Sequence, residues 1–275
     1  MPFAALCDRG VVSVGGPDAV PFLQGLVSND VVAVGTSSAA VWAALLTPQG
    51  KWLADFFLLA DGERILLDCE RAQAAWLVSH LSRYRLRAKV TLTNESGSLA
   101  VFAAWGGAEP AGVAARDPRL PEAGWRCLAP PGSAAVDATA EDYDRHRLAL
   151  GLPDGSKDLE SGKTVLLEAG FDELHGVSWT KGCYMGQELT ARTKYRGLVK
   201  RRLLPVRVEG PLPAPGTPVF CDGAEVGTIR SGRGDRALAL LRLEALSVAS
   251  ALVCGEARLL PELPSWLRLP TETAA

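Results

Sequence analysis

After Gly197 the chain changes character. Residues 201–269 run as short apolar segments broken by turns at Gly210-Pro211, Cys221-Asp222-Gly223 and Gly232-Arg233-Gly234-Asp235. Closely spaced strands with turn residues between them cannot each bury a face alone, so they close on one another, and the pattern predicts a small all-β module, a barrel. The boundary falls near residue 200, giving a first region over 1–200 and a second over 201–275. A length of 275 residues agrees with two units and suffices for a substantial core.

The first region mixes periods. A strand is expected over 10–15, then a helix from Gly16-Pro17-Asp18 to about Gln24, with proline in its first turn. An apolar run over 39–47 reaches a turn at Pro48-Gln49-Gly50. Trp52–Ala60 and Arg64–Cys69 read as strands joined at Asp61-Gly62, a strong hairpin signal. Leu77, Leu81 and Tyr84 lie at helical spacing within 70–84. Arg83, Arg85, Arg87 and Lys89 then alternate with Tyr84, Leu86, Ala88 and Val90, which predicts a half-exposed strand. Strands over 98–105 and 124–129 flank a Gly/Ala/Pro-rich connection at 106–121. A helix over Ala140–Leu150 is expected to be capped by Thr139, with Asp142 completing a capping box. A polar, irregular stretch over 154–180 leads to a last helix over about Met185–Lys194.

That stretch delivers the chain to Lys181-Gly182-Cys183-Tyr184-Met185-Gly186-Gln187-Glu188. A thiol between two glycines, beside a lysine and just ahead of a helix, tends toward thiolate, the form that attacks electrophiles or binds metal. Cys183 therefore reads as a working thiol rather than a core filler, with Lys181 stabilising its thiolate or meeting an anionic ligand. Gln187 and Glu188 suit a helix surface and a ligand site equally well. Glu188 and Arg192 form an i,i+4 pair of favourable orientation. Arg192, Lys194, Arg196, Lys200, Arg201 and Arg202 form a basic cluster. It suits either a solvated face or an anionic partner.

Other chemistry is thin. The 29 Lys and Arg against 31 Asp and Glu give a net charge of −2, which excludes a globally basic nucleic-acid binder. No two of the six cysteines make a CxxC pair and the three histidines are scattered, so neither a metal centre nor a disulfide framework is expected. Cysteines without a framework suit a reducing compartment. No signal-peptide pattern and no membrane-length apolar run can be read, so a cytoplasmic protein without a membrane partner is expected. Asp55 lies in the apolar strand Trp52–Ala60, where a carboxylate needs a partner, a ligand or an outlet to water.

These residues resemble the YgfZ-like family, the folate-binding relatives of the glycine-cleavage T-protein, an aminomethyltransferase. Lys181 to Glu188 matches the family's K-G-C-Y-x-G-Q-E at every fixed position, and Arg192 and Tyr195-Arg196-Gly197 continue the match. Gly16-Pro17-Asp18-Ala19, Phe22 to Leu26, Ser28-Asn29-Asp30-Val31 and Pro48-Gln49-Gly50-Lys51 with Asp55 follow in the family's order, as does Arg147 to Pro153. The resemblance implies an α+β fold, with mixed α/β subdomains around a central opening that admits folate and a small β-barrel at the C-terminus. It implies tetrahydrofolate or a one-carbon derivative as cofactor, iron–sulfur assembly or client proteins as partners, and a role in assembly or repair of iron–sulfur proteins. Carried residue by residue, it makes Cys183 and Lys181 the reactive pair. It assigns folate to Asn29, Gly50, Lys51, Asp55, Tyr184, Gln187, Glu188 and Arg192. Two departures argue against aminomethyl transfer, which is the alternative activity. The acidic pair of the T-protein falls on Leu53 and Ala54, leaving Asp55 one residue away, and the acid of R-x-E is Ala149.

Overall fold

The computed structural model describes residues 2–36, 39–246 and 251–269. Three β assemblies carry the chain, and helices are few. A five-stranded antiparallel sheet has the order Val41–Leu46, Trp52–Asp61, Arg64–Glu70, Arg9–Gly15, Thr91–Asn94. A four-stranded sheet has the order Phe3–Ala5, Ala100–Ala104, Trp125–Ala129, Val113–Arg116. The barrel closes through Arg201–Glu209, Arg236–Arg242, Ala224–Arg233, Pro218–Cys221, Leu252–Cys254 and Ala257–Pro261, whose last strand pairs back onto the first at Val206↔Pro261. The fold is therefore α+β with a closed six-stranded barrel at its end.

The five-stranded sheet is buried on both faces, which explains its near-continuous apolar strands. Alternate residues serve different cores. Trp42, Ala44 and Leu46 join Phe57 and Leu59 on one side, while Val41, Ala43 and Leu45 join Phe56 and Leu58 on the other. Ala74, Leu77 and Leu81 of the helix Ala74–Ser82 cover the second side. Thr139 and Asp142 make the expected reciprocal cap on the helix Ala140–Ala149.

Some expectations need correction. Residues 83–90 form no strand. Leu86 adopts a φ of 42° and is 89% exposed, and Tyr84, Arg85 and Ala88 donate their N–H groups to carbonyls three residues back. Those turns satisfy the backbone locally, leaving nothing for a ladder, and the alternating arginines reflect exposure alone. Phe3–Ala5 and Val113–Arg116 are strands that the sequence reading passes over, the second lying inside the Gly/Ala/Pro-rich connection.

Buried charge ties the three assemblies together. Arg147 is 1% exposed and spends its guanidinium on Asp144 (2.7 Å), Asp158 (2.9 Å), the Leu152 carbonyl (3.1 Å) and Ser231 Oγ of the barrel (2.8 Å). Asp158 in turn accepts from the Ser231 backbone and hydroxyl. Arg9 and Arg126 both reach Asp68, linking the two sheets. Where the assemblies meet, Arg9, Tyr143, Asp154, Lys157 and Arg233 line a space of only about 110 Å³.

Candidate functional site

The cysteine segment lies along the turn at Gly25–Asn29, held by hydrogen bonds from both sides. Ser28 Oγ donates to the Gly176 carbonyl at 2.7 Å and accepts from the Ala44 N–H at 2.8 Å. The Ser178 N–H donates to the Ser28 carbonyl, and the Met185 N–H to that of Gly25. Asn29 Nδ2 donates to the carbonyls of Trp42 (2.8 Å) and His175 (2.6 Å), which ties the turn to the residue where the segment reverses at a φ of 57°. The two motif blocks, distant in sequence, thus form one structure.

Lys181 completes this clamp. Its Nζ donates to the carbonyls of Val27 (2.6 Å) and Asn29 (2.7 Å) and lies 5.1 Å from the centre of the Tyr184 ring. Burial pulls the ammonium down to about 8, and the Asp30 charge opposes that shift. The ammonium is thus spent on backbone carbonyls. Cys183 is left exposed at the turn of the segment. Tyr184 turns inward, where burial raises its phenol to about 12, and its N–H donates to Gln187 Oε1 at 3.1 Å.

The helix Gln187–Tyr195 starts from Gly186, which has a left-handed φ of 80°. A Cβ there would sit 2.5 Å from the Thr47 carbonyl and 3.0 Å from Gly50 Cα. The Pro48-Gln49-Gly50-Lys51 turn therefore packs backbone to backbone on the cysteine motif. Gly50 has no side chain to offer. Lys51 is half-buried, Gln187 is occupied by Tyr184, and Glu188 and Arg192 are exposed on the outer face of the helix.

Asp55 is buried, at 4% exposure. Its Oδ2 accepts from Trp42 Nε1 at 2.9 Å and its Oδ1 from Trp52 Nε1 at 3.1 Å, with both indoles fully buried. Burial raises its carboxyl to about 6, against the lowering effect of Arg9 and the Trp42 bond. In a regular strand residues 52 and 55 would face opposite sides. A bulge opposite Leu45 and Leu46 resets the register, so Trp52 reaches the face of Asp55. A partner for Asp55 is legible in the sequence, but this pair of indole donors is not.

Of the basic cluster, Lys194 pairs with Asp172 at 3.0 Å, Arg201 with Glu168 at 3.1 Å, and Arg202 with Glu173 and the Leu167 carbonyl. Among the described residues, no group of three His, Cys, Asp or Glu side chains is placed to hold a metal ion, and no helix is long and apolar enough to cross a membrane.

The architecture is that of the T-protein class. It superposes on the glycine cleavage system aminomethyltransferase T of Bartonella henselae with a TM-score of 0.76, covering 97% of this chain and 86% of that one at 16% identity. Residues 200–269 match the family model for the CAF17 C-terminal β-barrel domain. The mitochondrial iron–sulfur cluster assembly factor IBA57 of Mus musculus is 35% identical over 94% of this chain and 83% of its own length. Its human counterpart is 40% identical over 85% and 75%. The chain belongs to the IBA57 family of iron–sulfur cluster assembly factors. The cytoplasmic expectation is corrected by these relatives, which are named as mitochondrial. The lack of a cysteine framework, on which the expectation leaned, does not distinguish one compartment from another.

Proposed function

We propose that this chain supports the assembly or repair of iron–sulfur proteins through the Cys183 thiol, with tetrahydrofolate or a one-carbon derivative as its ligand. The observation that carries this reading is the contrast within one motif: Lys181 and Tyr184 are held by hydrogen bonds to the fold, while Cys183 between them is exposed. Ordering the two flanking residues costs conformational entropy in any case, and it presents the thiol from a held position. A cluster usually takes four cysteine ligands, so a lone thiolate acts with ligands from another protein.

Folate enters through the resemblance, and the fit is partial. Asn29 and Gln187 are spent on local hydrogen bonds, Gly50 on Gly186 and Asp55 on the two indoles. Lys51, Glu188 and Arg192 retain side chains for a ligand, Arg192 being suited to its carboxylates. The space where the three assemblies meet lies well below the roughly 300–1,000 Å³ of sites that bury a drug-sized ligand. Aminomethyl transfer has less support, because the carboxylate it would use is enclosed.

The test has two arms. Tetrahydrofolate is titrated into the wild type and Cys183→Ala, and an iron–sulfur enzyme is assayed in cells carrying each. Equal folate affinity with lost enzyme activity supports separate roles for ligand and thiol. Absence of folate binding in the wild type removes the folate half. Full enzyme activity with Cys183→Ala overturns the thiol half.

A further inference from the structure

We infer that the outer stripe of the helix Gln187–Tyr195, with the segment that follows it, docks an acidic protein surface during assembly. The inference rests on the assembly reading of Cys183 and names the partner's chemistry. Arg192, Tyr195 and Arg196 lie three and four residues apart and share one exposed face. Tyr195 is 73% exposed and the following Leu198 is 47% exposed. Arg192, Arg196 and Lys200 make no ion pair with any described residue, whereas Lys194 and Arg201 beside them are neutralised. Two uncovered apolar side chains framed by three unpaired cations are poor folding chemistry. They make a good interface, since Tyr and Arg dominate binding hot spots and the cations would pair with carboxylates.

Two further features fix the place. Trp179 lies under this helix, with the Lys194 ammonium 3.9 Å from its ring and Tyr195 edge-on at 6.1 Å. The stripe is thus held firmly on the segment that carries Cys183. Beyond Leu198 and Lys200 the surface opens into a concavity of about 1020 Å³ against the barrel. Its lining sets Glu168, Glu225 and Glu244 against Lys200, Arg201 and Arg242, so the attraction for an acidic surface comes from the helix stripe and not from this hollow.

The test uses the full-length protein in cells lacking their own copy of this factor, with an iron–sulfur enzyme as readout. The variant Arg196→Glu/Lys200→Glu is compared with Arg196→Lys/Lys200→Arg at matched abundance and thermal midpoint, which leaves Arg192 in place. Charge reversal is expected to lower enzyme activity about tenfold or more, and the charge-keeping variant to retain it. Full activity of the reversed variant overturns the inference. If Cys183→Ala is also fully active, the thiol reading fails with it; if Cys183→Ala is inactive, docking alone fails. Titration of tetrahydrofolate mono- and pentaglutamate separates the other carboxylate source. If charge reversal selectively weakens the pentaglutamate form, the cations serve a folate tail and the protein-docking inference falls.

Discussion

Gly50 and Gly186 face each other backbone to backbone, both with left-handed φ, at 74° and 80°. A Cβ on Gly50 would lie 2.6 Å from the Gly186 carbonyl, and one on Gly186 would lie 3.0 Å from Gly50 Cα. The contact seats the turn after Val41–Leu46 on the start of the helix Gln187–Tyr195, and so sets the height at which Cys183 stands. Gly186→Ala combines a strained left-handed backbone with a clash and is expected to cost about 2 kcal/mol or more. Thermal unfolding measures that cost. Iron–sulfur enzyme activity should fall further than the loss of folded protein explains.

Lys181 acts on the loop through carbonyls. Lys181→Met leaves the acceptors of Val27 and Asn29 without their donor, at about 1–3 kcal/mol. Amide hydrogen exchange at residues 181–185 should rise while the barrel stays protected. Because the folded ammonium titrates near 8, below its ordinary 10.5, the unfolded chain holds this proton longer. Its contribution to stability therefore increases as pH rises from about 8 toward 10.5. An NMR titration of the Lys181 side chain should show a midpoint near 8.

The caged carboxyl of Asp55 gives the opposite sign. Its folded value near 6 exceeds the ordinary 3.8, so the folded state holds the proton longer. The stability it contributes is complete below 3.8 and is lost as pH rises through 6. The full shift corresponds to about 3 kcal/mol between pH 3.8 and 7. Denaturant unfolding at pH 5 and pH 7.5 should differ by part of this, and Asp55→Asn should abolish the difference. An unchanged pH dependence in Asp55→Asn would assign it to other groups.

Arg147 holds the first region to the barrel. Arg147→Ala leaves the fully buried Asp158 without its counter-charge, while Asp144 keeps Arg233 at 3.0 Å, and should cost about 3–5 kcal/mol. Calorimetry should then separate the single transition into two, with the barrel melting on its own.

The barrel was legible because each strand is short and ends in Gly, Pro or Asp turns. The helix Ala140–Ala149 was legible because Thr139 and Asp142 write its cap in local sequence. Residues 83–90 misled because surface arginines alternate with apolar neighbours even where a turn has taken the backbone. At the site, the motif around Cys183 marked a special loop and its exposed thiol. The direction of Lys181 depends on carbonyls more than 150 residues away in sequence, which no local pattern records. The cage of Asp55 depends on a one-residue bulge, and strict alternation would have turned Trp52 away.

The most direct test of the thiol's role is iron–sulfur enzyme activity in cells lacking the endogenous factor and carrying Cys183→Ala at wild-type abundance. Cys183 is exposed, so the substitution leaves folding stability within about 0.5 kcal/mol of wild type. The enzyme is predicted to remain at the level of cells without the factor. Restoration to the wild-type level would contradict the assignment.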